Sequence, residues 1–253
     1  MDSQFQLALD AMTSALRVLE KQVPPPAEVR FESGFEYRYR EQTLEQAMVQ
    51  KLARMTTCLR SARVLLRSGL LQDQAALHRM LDEFQQDVTF LAYARLFNDF
   101  TDLHKRYLEA FYEEELDKPE SPIESSQKRP SIPRQKIRGY IAAKEAPEND
   151  PSRSVELTRM LAKAYSGFVH GASPQIMSMY GGRAVGFRIE GQLNTPHQQD
   201  HESDLWNYFY RGLISFAETA SVLGQAELLS KMESIANEFA RVAGKSYAKK
   251  SEI

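Results

Sequence analysis

Arg79 and Glu83 stand one helical turn apart, and a later segment, Tyr165-Ser-Gly-Phe-Val-His170-Gly, sets a phenol and an imidazole among small residues. An arginine and a carboxylate at i, i+4 can pair with each other, or can jointly hold a polar group if both face inward. A histidine beside Gly171 can be approached closely by a ligand or another backbone and titrates near neutral pH. Together Arg79, Glu83, Tyr165 and His170 are the candidate catalytic set: His170 as acid or base, Arg79 as stabiliser of phosphate charge, Glu83 and Tyr165 as partners. The plainer reading makes His170 a corner residue that donates to a neighbouring helix, and Arg79–Glu83 a surface pair.

A second group is basic. From Gln46 to Gln72 the only charged residues are Lys51, Arg54, Arg60, Arg63 and Arg67, whereas Asp82, Glu83, Asp87, Asp99 and Asp102 crowd the stretch that follows. Pairing across a helical hairpin explains this economically. The sharper alternative is a nucleic-acid-binding face, with Arg60, Arg63 and Arg67 on one helix stripe.

His197 and His201 have the i, i+4 spacing of a helical metal pair, but no Glu follows His197 as a zinc-protease motif requires, and no histidine has a Glu three residues before it as a di-iron bundle needs. The one cysteine, Cys58, sits in a helical pattern and allows neither an internal disulfide nor a multi-cysteine metal site. No metal and no cofactor is expected. Phosphate-loop, nucleophile-elbow and dinucleotide glycine patterns are absent.

The elements that must position these residues are helices. Phe5, Leu9, Met12, Leu16 and Leu19 predict a helix over 3–22, ended by Pro24-Pro25-Pro26 and expected to stand apart from the main body. Residues 31–39 alternate loosely and suggest an extended arm or short strand. Leu44, Met48, Leu52, Met55, Leu59, Ala62 and Leu66 form one stripe over 43–67, and Ser68-Gly69 ends it. A second run starts near Asp73 and packs back as a hairpin, with a break near Asn98-Asp99, where Asp102 completes something like a capping box. Residues 117–134 carry Pro119, Pro122, Pro130 and Pro133 among polar residues and read as a linker. A short helix follows over 134–144, then one from about Ser154 into the Tyr165–His170 segment. Ser173 and Pro174 start another short helix, Val185, Phe187 and Ile189 suggest one strand, and two long helices close the chain.

The fold class expected is therefore all-α: an antiparallel multi-helix bundle over 41–248 with long connections and at most one short strand or hairpin, preceded by a helix and arm over 1–40. With 253 residues, 42% hydrophobic, 26% charged and a net charge of −2, the chain can bury a core and is neither disordered nor globally basic. No run approaches the ~20 apolar residues of a membrane span, and the first residues lack a basic start before an apolar core. A cytoplasmic protein with no membrane partner is expected.

The Arg79–Glu83 helix combined with Tyr165–Gly171 resembles a family of bacterial helical proteins known as a domain of unknown function, over roughly residues 44–220. The resemblance implies a bacterial or phage-encoded bundle in which Arg79, Glu83, Tyr165 and His170 come together. Such bundles are distantly similar to HEPN-type helical domains, many of them ribonucleases in toxin and defence systems. Those nucleases place an Arg four to six residues before a His; here the arginines before His78, His104, His170 and His197 lie farther away, and Lys163 does not reproduce an arginine's fork of donors. The leading expectation is a non-catalytic binding or assembly module in a stress or defence system, with a homo-oligomer as its candidate assembly. The alternatives are a nuclease using His170 and Arg79, and a nucleic-acid binder using the basic stripe.

Overall fold

A computed structural model describes residues 1–31, 34–114, 122–126, 132–145 and 151–245. In chain order these form α1 (Asp2–Leu19), β1 (Ala27–Phe31), β2 (Gly34–Arg38), α2 (Leu44–Arg67), α3 (Leu71–Leu96), α4 (Asp102–Tyr112), α5 (Arg134–Glu145), α6 (Pro151–Val169), α7 (Ser173–Met177), β3 (Tyr180–Gly181), β4 (Gly186–Phe187), α8 (Pro196–Val222) and α9 (Ala226–Val242), with 3₁₀ turns at Glu20–Gln22 and Pro122–Glu124. The protein is an all-α bundle carrying two short antiparallel strand pairs, β1–β2 and β3–β4. The second pair, two residues a side, adds to the single hairpin expected. Most of the expected 117–134 linker lies outside the described residues.

The α2–α3 hairpin is the frame. Thr43 caps α2, accepting from the Gln46 backbone N–H while the Gln46 side chain reaches back to the Thr43 N–H. On the far side of the hairpin α8 packs against both helices, and α5 and α6 cover the remaining face of α3. The helix α1 is not separate. Its Phe5, Leu9, Met12 and Leu19 are fully buried, and it packs on α8, α2 and α9, with Phe5 stacked on Phe209 at 4.5 Å between ring centres. Burial of each such side chain contributes roughly 1.5–3 kcal/mol, so the proline run ends this helix without detaching it.

The break after α3 also differs in detail from expectation. Asn98 adopts φ 49° and stops α3 in the left-handed conformation asparagine tolerates, while Thr101 rather than Asn98 or Asp99 caps α4. His104 completes that cap: the Thr101 N–H donates to its Nδ1, leaving Nε2–H to donate to the Phe90 carbonyl at 3.3 Å. The short helix α7 is capped by Ala172, one residue before the expected Ser173.

The segment between α6 and α8 is fastened to the α2–α3 corner by the Gln72 amide, which donates to the Gln175 carbonyl at 2.8 Å and to Ser178 Oγ at 3.0 Å, and by backbone. Gln192 N–H donates to Gly69 C=O at 2.8 Å. A Cβ on Gly191, whose φ is +118°, would stand 2.5 Å from the Ser68 carbonyl oxygen, and one on Gly69 2.7 Å from the Gln192 nitrogen. Gly191→Ala is expected to lower stability by about 2–3 kcal/mol in urea denaturation. Gly139→Ala, within α5 and with open space around it, should instead raise stability by about 0.5–1 kcal/mol. Equal effects from the two would refute a close-approach role for Gly191.

Candidate functional site: the polar seam of α3

Gln74, His78, Asp82 and Gln86 recur every fourth residue along α3, and all four are buried, as is Asp87. A polar stripe inside a bundle must find partners, because an unpaired buried polar group costs ~1–3 kcal/mol. Four of the five find them. His201 Nδ1 donates to Gln74 Oε1 at 2.7 Å. Asp82 accepts from Gln86 at 2.6 Å and from Arg211 of α8 at 2.9 Å. The Gln86 oxygen accepts from Arg134 and Arg138 of α5 at 3.1 and 3.2 Å. Asp87 accepts from Lys51 of α2 at 2.8 Å and from Arg134.

His78 is the exception. It is fully buried, and neither ring nitrogen has a hydrogen-bond partner among the described residues. Its ring lies 4.6 Å from that of Tyr208, 5.4 Å edge-on from Tyr165 and 6.4 Å from His201. Burial, and secondarily the neighbouring His201, pulls its pKa down to about 3, so the imidazole is neutral across the physiological range.

The four residues of the expected catalytic set are not all brought together. Arg79 and Glu83 pair at 2.5 Å along α3. Tyr165 turns toward α8, where its hydroxyl donates to Asp204 at 2.7 Å and its ring meets His78; burial, with Tyr208 and Asp204, pushes the phenol far above the usual range. His170 is exposed beyond the end of α6, and no hydrogen bond, ion pair or ring contact among the described residues joins it to Arg79, Glu83 or Tyr165. Gly171 makes the expected corner with φ +61°.

The basic stripe is divided. Arg63 reaches α1, with Nε and Nη2 on the Asp2 carboxylate at 2.6 and 2.9 Å and Nη1 on Gln6, while Arg60 and Arg67 are exposed. Across the α2–α3 hairpin the acidic run pairs only through Lys51–Asp87. Asp82 and Asp99 turn to Arg211 and Lys144, Asp87 also reaches Arg134, and Asp102 pairs locally with Lys105. His197 is exposed, and among the described residues no cluster of three His, Cys, Asp or Glu side chains could hold a metal ion.

The residues that the sequence did not single out are Arg134 and Arg138. They lie at i, i+4 on α5 beside buried Ile137, a pattern that puts both guanidinia on the face turned to α3. What the pattern lacks is any sign of which helix α5 covers. The seam can orient charge and polar groups between four helices, and its neutral His78 offers no proton at neutral pH. No helix among the described residues is long and apolar enough to cross a membrane. No family model, curated protein or solved structure matches the chain.

Proposed function

We propose that the protein is a non-catalytic helical assembly module that pairs with a second copy of itself through the face formed between α6 and α8. The observation that carries this reading is the concentration of exposed apolar side chains there. Val185 and Ile189 are 71% and 76% exposed, and Met177, Tyr180, Phe187 and Leu193 are about half exposed. Contiguous apolar surface of this kind on a folded chain marks an interaction site. The face has the composition of an interface centre, with aromatic, Met and Arg side chains and one acid, Glu190, among residues 177–193. The ribbon β3–β4 adds open strand edges that the same ribbon of a second copy can meet about a two-fold axis.

Light scattering coupled to size exclusion tests this. Wild type is expected to run as a dimer, and the combined Val185→Ser, Phe187→Ser, Ile189→Ser variant as a monomer with unchanged far-ultraviolet helix signal. A wild type that stays monomeric at every concentration up to its solubility limit overturns the reading.

A further inference from the structure

Three guanidinium groups meet at the α3–α5 seam without a full set of acceptors. Arg138 is only 9% exposed and, among the described residues, forms no ion pair and makes one hydrogen bond, from Nε to the neutral amide oxygen of Gln86. Arg79 reaches Glu83 through Nη2, while its Nη1 is buried without a partner; the Nε of Arg134 is likewise buried and unpartnered. Burial pulls Arg138 below the usual arginine range, opposed by Asp82 and reinforced by the like charges of Arg134 and Arg79. The carboxylates nearest the three guanidinia are already engaged: Glu83 by Arg79, Asp87 by Arg134 and Lys51, and Asp82 by Arg211. Like charges held together where water is restricted repel unless an anion is shared among them.

We propose that Arg79, Arg134 and Arg138 form a binding site for a phosphate dianion, either inorganic phosphate or the terminal group of a small phosphomonoester. Guanidinium forks arriving from two helices suit the several oxygens of a tetrahedral oxyanion better than a planar carboxylate, which a single fork satisfies. The Arg79 and Arg134 side chains are 22% and 23% accessible, so the guanidinia are reached from solvent only at their edges. The site lies away from the apolar α6–α8 face and does not depend on the assembly reading.

The test is thermal unfolding of the full chain with inorganic phosphate titrated against sodium chloride at matched ionic strength, supported by calorimetry. Phosphate is expected to raise Tm saturably in the millimolar range or below. Arg79→Gln and Arg138→Gln should each weaken the apparent affinity about tenfold, the loss of one charge-assisted contact, while Arg30→Gln on the exposed β1 strand leaves it unchanged. Where a Gln variant does not fold, Arg138→Lys keeps the charge and should weaken affinity several-fold. Tighter binding of glycerol phosphate than of inorganic phosphate identifies a phosphomonoester as the ligand, and the reverse identifies the free ion. A phosphate response equal to that of chloride, or one undiminished in every folded Arg79 and Arg138 variant, overturns the proposal.

Discussion

Asp87→Ala is expected to remove about 3 kcal/mol of folding stability, toward the lower end of the ~3–5 kcal/mol seen when one member of a buried ion pair is deleted. Asp87 is 3% exposed and is the only carboxylate shared by two cations from different helices, Lys51 of α2 and Arg134 of α5, among the described ion pairs. Without it both cations stay in place with no anion, and the phenol of Tyr107, pushed well above its usual range by burial and by Asp87, loses that charge. The lower end applies because the Lys51 and Arg134 side chains are 16% and 23% exposed and keep some access to water. Asp87→Asn should recover little, since it restores shape but not charge. Glu109→Ala on α4 provides the contrast of an exposed carboxylate with no ion pair among the described residues, expected within ~0.5 kcal/mol of wild type. Urea denaturation of the three variants decides it, and an Asp87→Ala loss below ~1 kcal/mol would mean that the seam is not organised around this carboxylate.

The helices were legible because their information is local. The seven apolar residues from Leu44 to Leu66 define the buried stripe of α2, and all but Leu66, at 5%, are at most 1% exposed. Thr43 and Gln46 show how a cap is written in two residues. The α2–α3 hairpin and its Lys51–Asp87 pair were also legible, but most contacts set by more distant partners were not. The stripe of α1 was visible, but nothing in residues 1–26 says that Phe209 and Gly212 of α8 await it, so a proline run was read as a boundary. The acidic run from Asp82 to Asp102 was read against the nearest basic run in sequence; three-dimensional packing instead presents Arg134, Lys144 and Arg211, which lie tens of residues downstream. For the same reason Arg79 and Glu83 were rightly placed one turn apart, while Tyr165 and His170 were joined to them only by what the resemblance implies. Tyr165 and His170 are five residues apart at a helix end, and that is enough to turn one inward to Asp204 and leave the other in solvent.

Buried His78 and half-buried Glu218 should impose opposite pH slopes on stability. His78 has its pKa lowered from 6.5 to about 3, so the unfolded chain binds a proton that the native state refuses; its stabilisation is complete above pH 6.5 and is lost as pH falls toward 3. Glu218 is pushed from 4.5 up to about 7, chiefly by burial against a single hydrogen bond from Thr89, with Glu145 adding to the rise. Its contribution is complete below pH 4.5 and is lost as pH rises through 7. At ~1.4 kcal/mol per unit, each changes stability by about 2–3 kcal/mol between pH 4.5 and 6.5, in opposite senses, so wild type should be nearly flat there. His104 and His201, both lowered by burial, tilt that window slightly toward loss at acid pH. Below pH 4.5 His78 continues to destabilise, joined by the lowered carboxylates Asp2, Glu45 and Asp99. Removing either group uncovers the other. Glu218→Gln should lose about 2–3 kcal/mol as pH falls from 6.5 to 4.5, whereas His78→Leu should gain stability over the same interval. At pH 7 His78→Leu should also be at least as stable as wild type, because it removes two buried nitrogens that have no partner. Denaturation curves collected at half-unit pH steps read both slopes, and variants that run parallel to wild type would show that neither group titrates out of register with the unfolded chain.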